Sequence, residues 1–485
     1  MKKLTGLVTG WLGRWLGIAV LAAFLGLRVF AAETPALVIQ GGKLFDSSSG
    51  HMVPFRAIVI EGDRIKTIAF EGQTVVAPPG AQVVDARGKF LIPGLIDAHV
   101  HLVHVLRSVQ MTADEIFPLF LANGVTTLRD VGDEVVAEKL LRNYAAEHPG
   151  HSPRVIMGSP LIDGNPPYHS FVSWALTEPE KVAAFVDEMI KWDVQTFKLY
   201  VGVKRPVGQA IIKEAHRRGK WVTAHLAWNY TAQEAVADGI DSLEHIDSVF
   251  SFVLPPETPR WPPPAERAGM TAAALTDLQR RILEVKARVD FTQPATTEMV
   301  AALVRNKVAI DPTLVVYRNW MLLHDQPEVQ QHPDLGQIPA RLREGWLLSA
   351  QSSPIDPTTV DLRRRQLAKL QELTGLLYRS GVELLVGTDT PVQFCPPGLA
   401  LHQELELLVA SGLPPEAALI AATRNNARAI GQTANLGSLE PGKLADLVIL
   451  NADPLQDIRN SRTIFRVVRS GLVGDPTTLL QRVPK

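Results

Sequence analysis

His99 and His101 stand one residue apart at the end of the apolar run Leu91-Ile92-Pro93-Gly94-Leu95-Ile96-Asp97-Ala98. Side chains two positions apart on a β-strand share a face. A strand ending in His-x-His therefore offers two imidazoles side by side, which is half of a metal site. Taken alone, the pair also reads as two histidines packed on a buried strand. Its company favours metal: Lys198 in Thr196-Phe197-Lys198-Leu199-Tyr200, His225 in Val222-Thr223-Ala224-His225, His245 in Ser242-Leu243-Glu244-His245, and Asp389 in Gly387-Thr388-Asp389. Six metal-compatible side chains thus emerge from five strand-like runs, and coincidence does not easily produce that joint pattern.

The elements that must position them alternate. Strands are expected over 95–101, 126–131, 154–162, 196–201, 221–226, 242–247, 308–316 and 383–388, with helices between them, for example over 112–123, 178–192, 207–218 and 231–238. Gly124, Gly219, Gly239 and Gly381 stand where helices close on a left-handed residue. This rhythm predicts parallel strands with crossover helices, and eight of them count out an (α/β)8 TIM barrel; an open doubly wound sheet is the alternative. In a barrel, the C-terminal ends of the strands build the active site. Short β runs at both ends of the chain, such as Ala57-Ile58-Val59-Ile60 and Leu447-Val448-Ile449-Leu450, are expected to join in one small β-sandwich. The expected layout is a leader at 1–32, the sandwich at 33–90 and 433–485, and the barrel at 91–432. Two stretches break the rhythm: a Pro-rich segment that continues as a helix over 250–294, and an irregular one over 317–357. Both follow barrel strands and so are expected above the catalytic face.

At 485 residues, with 46% hydrophobic and 20% charged side chains, the chain can bury a large core. Its 49 basic and 50 acidic residues leave no electrostatic footprint for nucleic acid. Lys2 and Lys3, an apolar stretch from Trp15 to Leu27, and Val29-Phe30-Ala31 follow the order of an export signal. The apolar stretch is short for a membrane span, and an uncleaved amphipathic anchor flanked by Arg14 and Arg28 is the alternative. Cys395 is the only cysteine, so no intramolecular disulfide can form. The expectation is an exported, periplasmic protein with no stable membrane span after cleavage.

With these motifs, and with Ala421-Ala422-Thr423-Arg424-Asn425 and Gly437-Ser438-Leu439-Glu440-Pro441-Gly442, the chain resembles the metal-dependent amidohydrolase superfamily. Within it, the chain resembles the branch of imidazolonepropionases and Xaa-Pro dipeptidases. The resemblance implies a distorted barrel with a β-sandwich. It also implies two divalent metals, with zinc the default for a histidine-rich site. His99, His101 and Asp389 would hold one metal and His225 and His245 the other, with Lys198 bridging as a carboxylated lysine. A desolvated neutral amine can add carbon dioxide and become an anionic oxygen bridge; an ordinary Lys198 with one metal is the alternative. The implied reaction is hydrolysis of an amide by a metal-bridged hydroxide, with Asp389 as general base.

His169, in Asn165-Pro166-Pro167-Tyr168-His169, and Tyr230, in Trp228-Asn229-Tyr230, are the expected substrate contacts. The first stretch departs from the Gly-Gly-His pattern of many relatives. His104 is assigned to a loop or supporting role, Arg129 and Asp130 to an ion pair near the site, and His402 to structure, on an amphipathic helix with Leu399, Leu405 and Leu408. The expected substrate is a small amide, such as an Xaa-Pro or other dipeptide. A cyclic amide or lactone is the second reading, and a non-catalytic binding protein on an inherited barrel the third. Related enzymes often assemble, so a homo-oligomer is compatible with the resemblance.

Overall fold

The apolar runs at the chain ends are each too short to bury a face alone, and they do so by pairing. In the computed structural model, which describes residues 36–108 and 110–484, Leu37–Gln40 lies between Ala57–Glu61 and Gln82–Asp85, with Arg64–Ala69 outside Ala57–Glu61. A second sheet runs in the order Leu472–Gly474, Ile464–Arg469, Leu447–Leu450, Phe90–Pro93, Lys43–Asp46, His51–Pro54. One apolar cluster takes Leu37, Ile58 and Ile60 from the first sheet and Leu91, Leu447 and Ile449 from the second, which makes the pair a sandwich. Because Phe90–Pro93 pairs with Leu447–Leu450, the barrel begins at Leu95, slightly beyond the expected boundary after residue 90. The leader expected at 1–32 lies outside the described residues.

The barrel strands are Leu95–Val100, Val125–Asp130, Arg154–Ile156, Thr196–Leu199, Trp221–Ala224, Ser242–Glu244 and Ala309–Asp311, with an irregular eighth pass at 383–390. Neighbours pair in parallel, and a bridge between Gly158 and Thr196 joins the third strand to the fourth. The eighth pass closes the ring. Leu385 N donates to Ile310 O at 2.8 Å on one side, and Ala98 N donates to Val386 O at 3.0 Å on the other. Helices fill the intervals as expected, and Gly124, Gly219, Gly239 and Gly381 all take positive φ. Thr112 and Glu115 form a capping box on Ala113–Ala122, as Thr231 and Glu234 do on Ala232–Ala237.

Three expectations about elements are corrected. The eighth strand is too irregular to form a continuous ladder, because its end must turn Asp389 back toward the first strand (Asp389 N to His99 O, 2.7 Å). The segment 317–357 is mostly helical, including Pro327–Gln330 and Ala340–Ser352, and it buries Leu335, Ile338, Leu342 and Trp346 in the main core. The helix Leu399–Ala410 is buried on nearly every side rather than amphipathic. Within it His402 is structural as expected, its ring nitrogens bonded to Ser461 Oγ and Asn123 O.

A buried amide helps to hold the seam between the first and eighth strands. Asn426 Nδ2 donates to Ile96 O at 2.7 Å and Val386 O at 2.8 Å, while its Oδ1 accepts from Val386 N at 3.1 Å. Replacing Asn426 with Ala removes all three bonds and leaves Val386 N, buried in the seam, without its acceptor, while Val386 O keeps Ala98 N. It is expected to lower stability by about 3 kcal/mol, measured by denaturant unfolding; an unchanged midpoint would show that the seam does not depend on it.

Candidate active site

At the C-terminal face of the barrel, alternation on the first strand brings His99 and His101 to the same side, and the turn of the eighth pass brings Asp389 between them. Asp389 Oδ1 lies 3.1 Å from His101 Nε2 and 3.4 Å from His99 Nε2. The three donor atoms lie within 4.8 Å of one another, close enough to share one ion. Beyond them His225 and His245 stack edge-on, with ring centres 4.4 Å apart, and His245 lies 5.0 Å from His99. Lys198, on the fourth strand, is buried, and its Nζ has no hydrogen-bond partner among the described residues. The structure therefore brings all six expected ligands to one end of the barrel.

Local backbone geometry is strained here to aim them. His245, Thr313 and Asp389 have φ of 64°, 46° and 53°, the left-handed region that non-glycine residues enter at a cost. Gly387 is required for a different reason. A Cβ there would meet Asp311 Oδ2 at 2.2 Å and His99 Cβ at 2.3 Å, so only glycine lets the eighth pass approach the first strand.

The electrostatics suit a cation. Burial, and then His225 in the case of His245, pushes the His245 imidazole well below its usual range, and burial takes His101 and His225 down to about 3. All three are thus neutral, the form that binds metal. Burial also depresses Lys198. Asp389 is raised by burial, but His99 and His101 more than offset this and hold it well below the usual carboxylate range. At His99, burial and Lys198 pull the imidazole down while Glu244 and Asp389 pull it up, and it ends at about 10. Positive charge is therefore stabilised where the carboxylates of Glu244, Asp311 and Asp389 converge on His99, as a metal ion would require. Together with the unpartnered Lys198 amine, this donor set fits divalent metal.

Behind the ligands lies a supporting layer in which Glu244, Thr223 and Thr313 carry no expectation from the sequence, while Arg129, Asp130 and His104 do. Glu244 Oε2 accepts from His99 Nδ1 at 2.9 Å, while its Oε1 accepts from Arg129 Nη2 at 2.8 Å and from the Thr223 hydroxyl. Arg129 and Glu244 are both fully buried. The expected pairing of Arg129 with Asp130 does not occur, because adjacent strand residues face opposite ways; Asp130 accepts instead from Leu102 N at 3.1 Å. Asp97 accepts from His99 N and from Thr388 N and Oγ1, tying the first strand to the eighth. His245 Nδ1 pairs with Thr313 Oγ1 at 2.8 Å, and His104 Nδ1 with Asp133 Oδ1 at 3.0 Å, which gives His104 the supporting role expected of it.

Of the two expected substrate contacts, His169 joins the rim and Tyr230 does not. Rings follow one another from His104 to His169 (5.8 Å), Tyr200 (5.7 Å) and His225 (5.4 Å), with Tyr168 against His169 and Trp228. Tyr230 is turned away: its hydroxyl donates to Asp238 Oδ2 at 3.0 Å, and its ring packs on Gly208. The reason is local, since Thr231 starts the next helix and draws the preceding residue into the helix layer. Tyr200 occupies the place beside His225. It was legible as the residue two past Lys198, on the same face of one strand. The 250–294 segment reaches this rim through a bond from Trp228 Nε1 to Trp261 O at 3.2 Å.

A closed α/β barrel with histidines, a lysine and an aspartate gathered at its strand ends, carrying a β-sandwich made from both chain ends, defines a metal-binding hydrolase fold. The sequence profile of the Amidohydrolase family matches residues 90–253 and 352–473, more than half of the chain, and the chain belongs to that family. It is similar to the adenine deaminase of Chelativorans sp. (strain BNC1), 26% identical over 224 residues, which are 44% of this chain and 36% of that protein. The aligned stretches span about a third or less of the adenine deaminases matched. Among solved structures, an Xaa-Pro dipeptidase with bound methionine superposes with a TM-score of 0.63 at 21% identity, covering 91% of this chain and 100% of the other. A bottromycin amidohydrolase superposes with a TM-score of 0.68 at 22% identity, covering 93% and 89%. These superpositions carry the fold.

Glu244 sets which nitrogen of His99 faces the ligand cluster, because accepting from Nδ1–H leaves the lone pair on Nε2. Glu244→Gln is expected to weaken metal affinity by about 10- to 100-fold, read by metal loss to a chelator. Equal retention in variant and wild type would sink this role.

Proposed function

We propose that the chain hydrolyses a carbon–nitrogen bond of a small substrate, with an Xaa-Pro or other dipeptide as the favoured class. The observation that carries this reading is the convergence of His99, His101 and Asp389 on one point, with His225, His245 and the unpartnered amine of Lys198 beside it. His99, His101 and Asp389 would hold one divalent ion and His225 and His245 a second, zinc being favoured by imidazole donors. Lys198, as a carbamate, would bridge them. When bound, such ions lower the pKa of water toward neutrality and polarise a carbonyl.

The rest is work for the chain's own groups. Asp389, held ionised by its histidine neighbours, takes the proton of the attacking water and delivers it to the leaving nitrogen. Tyr200, kept protonated by burial, can donate to a substrate oxygen beside His225. The rim of His169, Tyr168 and Trp228 gives an apolar, ring-lined wall on which a proline ring can pack. The same wall favours a second reading, hydrolysis of a cyclic amide or lactone, since a planar ring stacks on it equally well. Export is also part of the proposal, supported by the basic, apolar and small-residue order of 1–32.

Two measurements test this. A panel of Xaa-Pro and other dipeptides, cyclic amides and lactones should find turnover, and Asp389→Asn should abolish it, by about 10³-fold or more. Full activity in that variant would remove Asp389 from the mechanism. Lys198→Ala is expected to lower bound metal from two ions to one or none per chain, with activity partly restored by short carboxylic acids that replace the carbamate. Unchanged metal content would rule out the bridging lysine.

A further inference from the structure

A cavity of about 620 Å³ lies at the opposite end of the barrel from the metal ligands, where the third strand begins and the sandwich packs against it. Four arginines line it, and three have partners. Arg142 Nη2 lies 2.6 Å from Asp193 Oδ2. Arg64 Nη1 donates to Gly442 O at 2.7 Å and its Nε lies 3.9 Å from Asp63. Arg154 Nη2 donates to Ser470 Oγ at 3.2 Å and to Asp446 Oδ2 at 3.4 Å. Asp446 is otherwise committed, since its Oδ1 accepts from Ser470 N at 2.8 Å.

Arg469 is different. It is only 5% exposed and lines the same cavity; its side chain makes no hydrogen bond and no ion pair with any of the described residues, and its Nε is buried without a partner. The Nε of Arg154 is likewise buried without a partner. Burial and then the neighbouring Arg154 push the Arg469 guanidinium down to about 10. A chain that merely needed to fill this space would use an apolar side chain, because an uncompensated buried charge is costly. Two guanidinium groups, one from the barrel and one from the sandwich, instead face this space, while the carboxylates nearby, Asp63, Asp193 and Asp446, are paired with Arg64, Arg142 and Arg154.

We propose that this cavity is a binding site for a small oxyanion, a phosphate or a carboxylate, held by Arg469 of the sandwich and Arg154 of the barrel. Planar guanidinium groups match both ligands through paired N–H donors, which a lysine would not do. The ligand would link the two layers, and by linkage it would stabilise the folded chain as its concentration rises. Because the strand N-termini build this site and the strand C-termini build the metal site, occupancy of one does not require the other.

The test is calorimetric titration of the full chain with inorganic phosphate and, separately, with succinate. Each is repeated on Arg469→Met and on the double variant His99→Ala/His101→Ala. Saturable binding that persists in the histidine variant and weakens about tenfold or more in Arg469→Met supports the site, and the better of the two ligands identifies the anion. Binding lost in the histidine variant but kept in Arg469→Met would mean the anion sits at the metals, and would overturn the proposal. No saturable binding to the wild-type chain would overturn it too. Melting temperatures in anion-free buffer guard against a purely structural role: Arg469→Met should melt no lower than wild type and should lose the anion-induced rise. If Arg469→Met does not fold, Arg469→Lys keeps the charge without the fork and should still bind more weakly; undiminished affinity would overturn the proposal.

Discussion

The carboxylate of Glu244 is the interaction on which the site depends. It lies at zero exposure, and three donors from three other strands meet on it: His99 from the first, Arg129 from the second and Thr223 from the fifth. A buried carboxylate or guanidinium alone would be expensive, but each offsets the charge of the other. Breaking such a pair by removing one partner costs about 3–5 kcal/mol, so the arrangement tolerates little change. What it supplies beyond cohesion is orientation. Arg129 Nε also holds the carbonyl of Ala98, the residue just before His99, so the same guanidinium fixes the ligand's backbone and, through Glu244, its ring.

From this centre the other constraints follow. If His99 is held from behind, the remaining ligands must come to it, and the strand ends distort to bring them. His245 and Asp389 adopt left-handed backbone, Thr313 does the same while bonding the His245 ring, and Gly387 gives up its side chain so that the eighth pass can touch the first. Such strain persists only where surrounding packing over-determines it. Asn426 and Asp97 provide that here, each binding the first strand to the eighth on the far side of the distorted turn. The irregularity of the eighth strand is therefore part of how the site is built.

What could be read from the sequence was whatever repeats with a strand's period or stands at a strand's end. His99, His101, Lys198, His225, His245 and Asp389 all meet that description, and so did the barrel and the two-ended sandwich. Tyr200 met it too, two residues past Lys198, whereas the family resemblance points to the aromatic hydroxyl of Tyr230, five residues past His225. Tyr230 was misplaced because nearness along a loop says nothing about direction once Thr231 begins a helix. Arg129 was paired with its neighbour Asp130, although adjacent strand residues face opposite sides; its true partner is 115 positions away. Leu335, Ile338, Leu342 and Trp346 carry helical spacing, yet flanking Pro and Gly made that segment read as irregular. Arg469 gave no signal at all, since its isolation is a property of three-dimensional neighbours.

The two ends of the barrel handle buried charge in opposite ways, and the contrast bears on what each end is for. At the C-terminal face, carboxylates outnumber the cations that meet them, and His99 is driven toward its charged form by the surplus. Negative potential there is the condition for holding metal. At the N-terminal end the surplus is positive, and the side chain left uncompensated is an arginine, which cannot shed its proton as a buried lysine can. Lys198 and Arg469 make the same point from two sides. Each is a buried cation-forming group with a nitrogen, Lys198 Nζ or Arg469 Nε, that has no hydrogen-bond partner among the described residues. The lysine can resolve its position by becoming neutral and reacting, which suits a place among metal ligands. The arginine stays charged and gains most from an anion, which is why chemistry is expected at one end and non-covalent binding at the other.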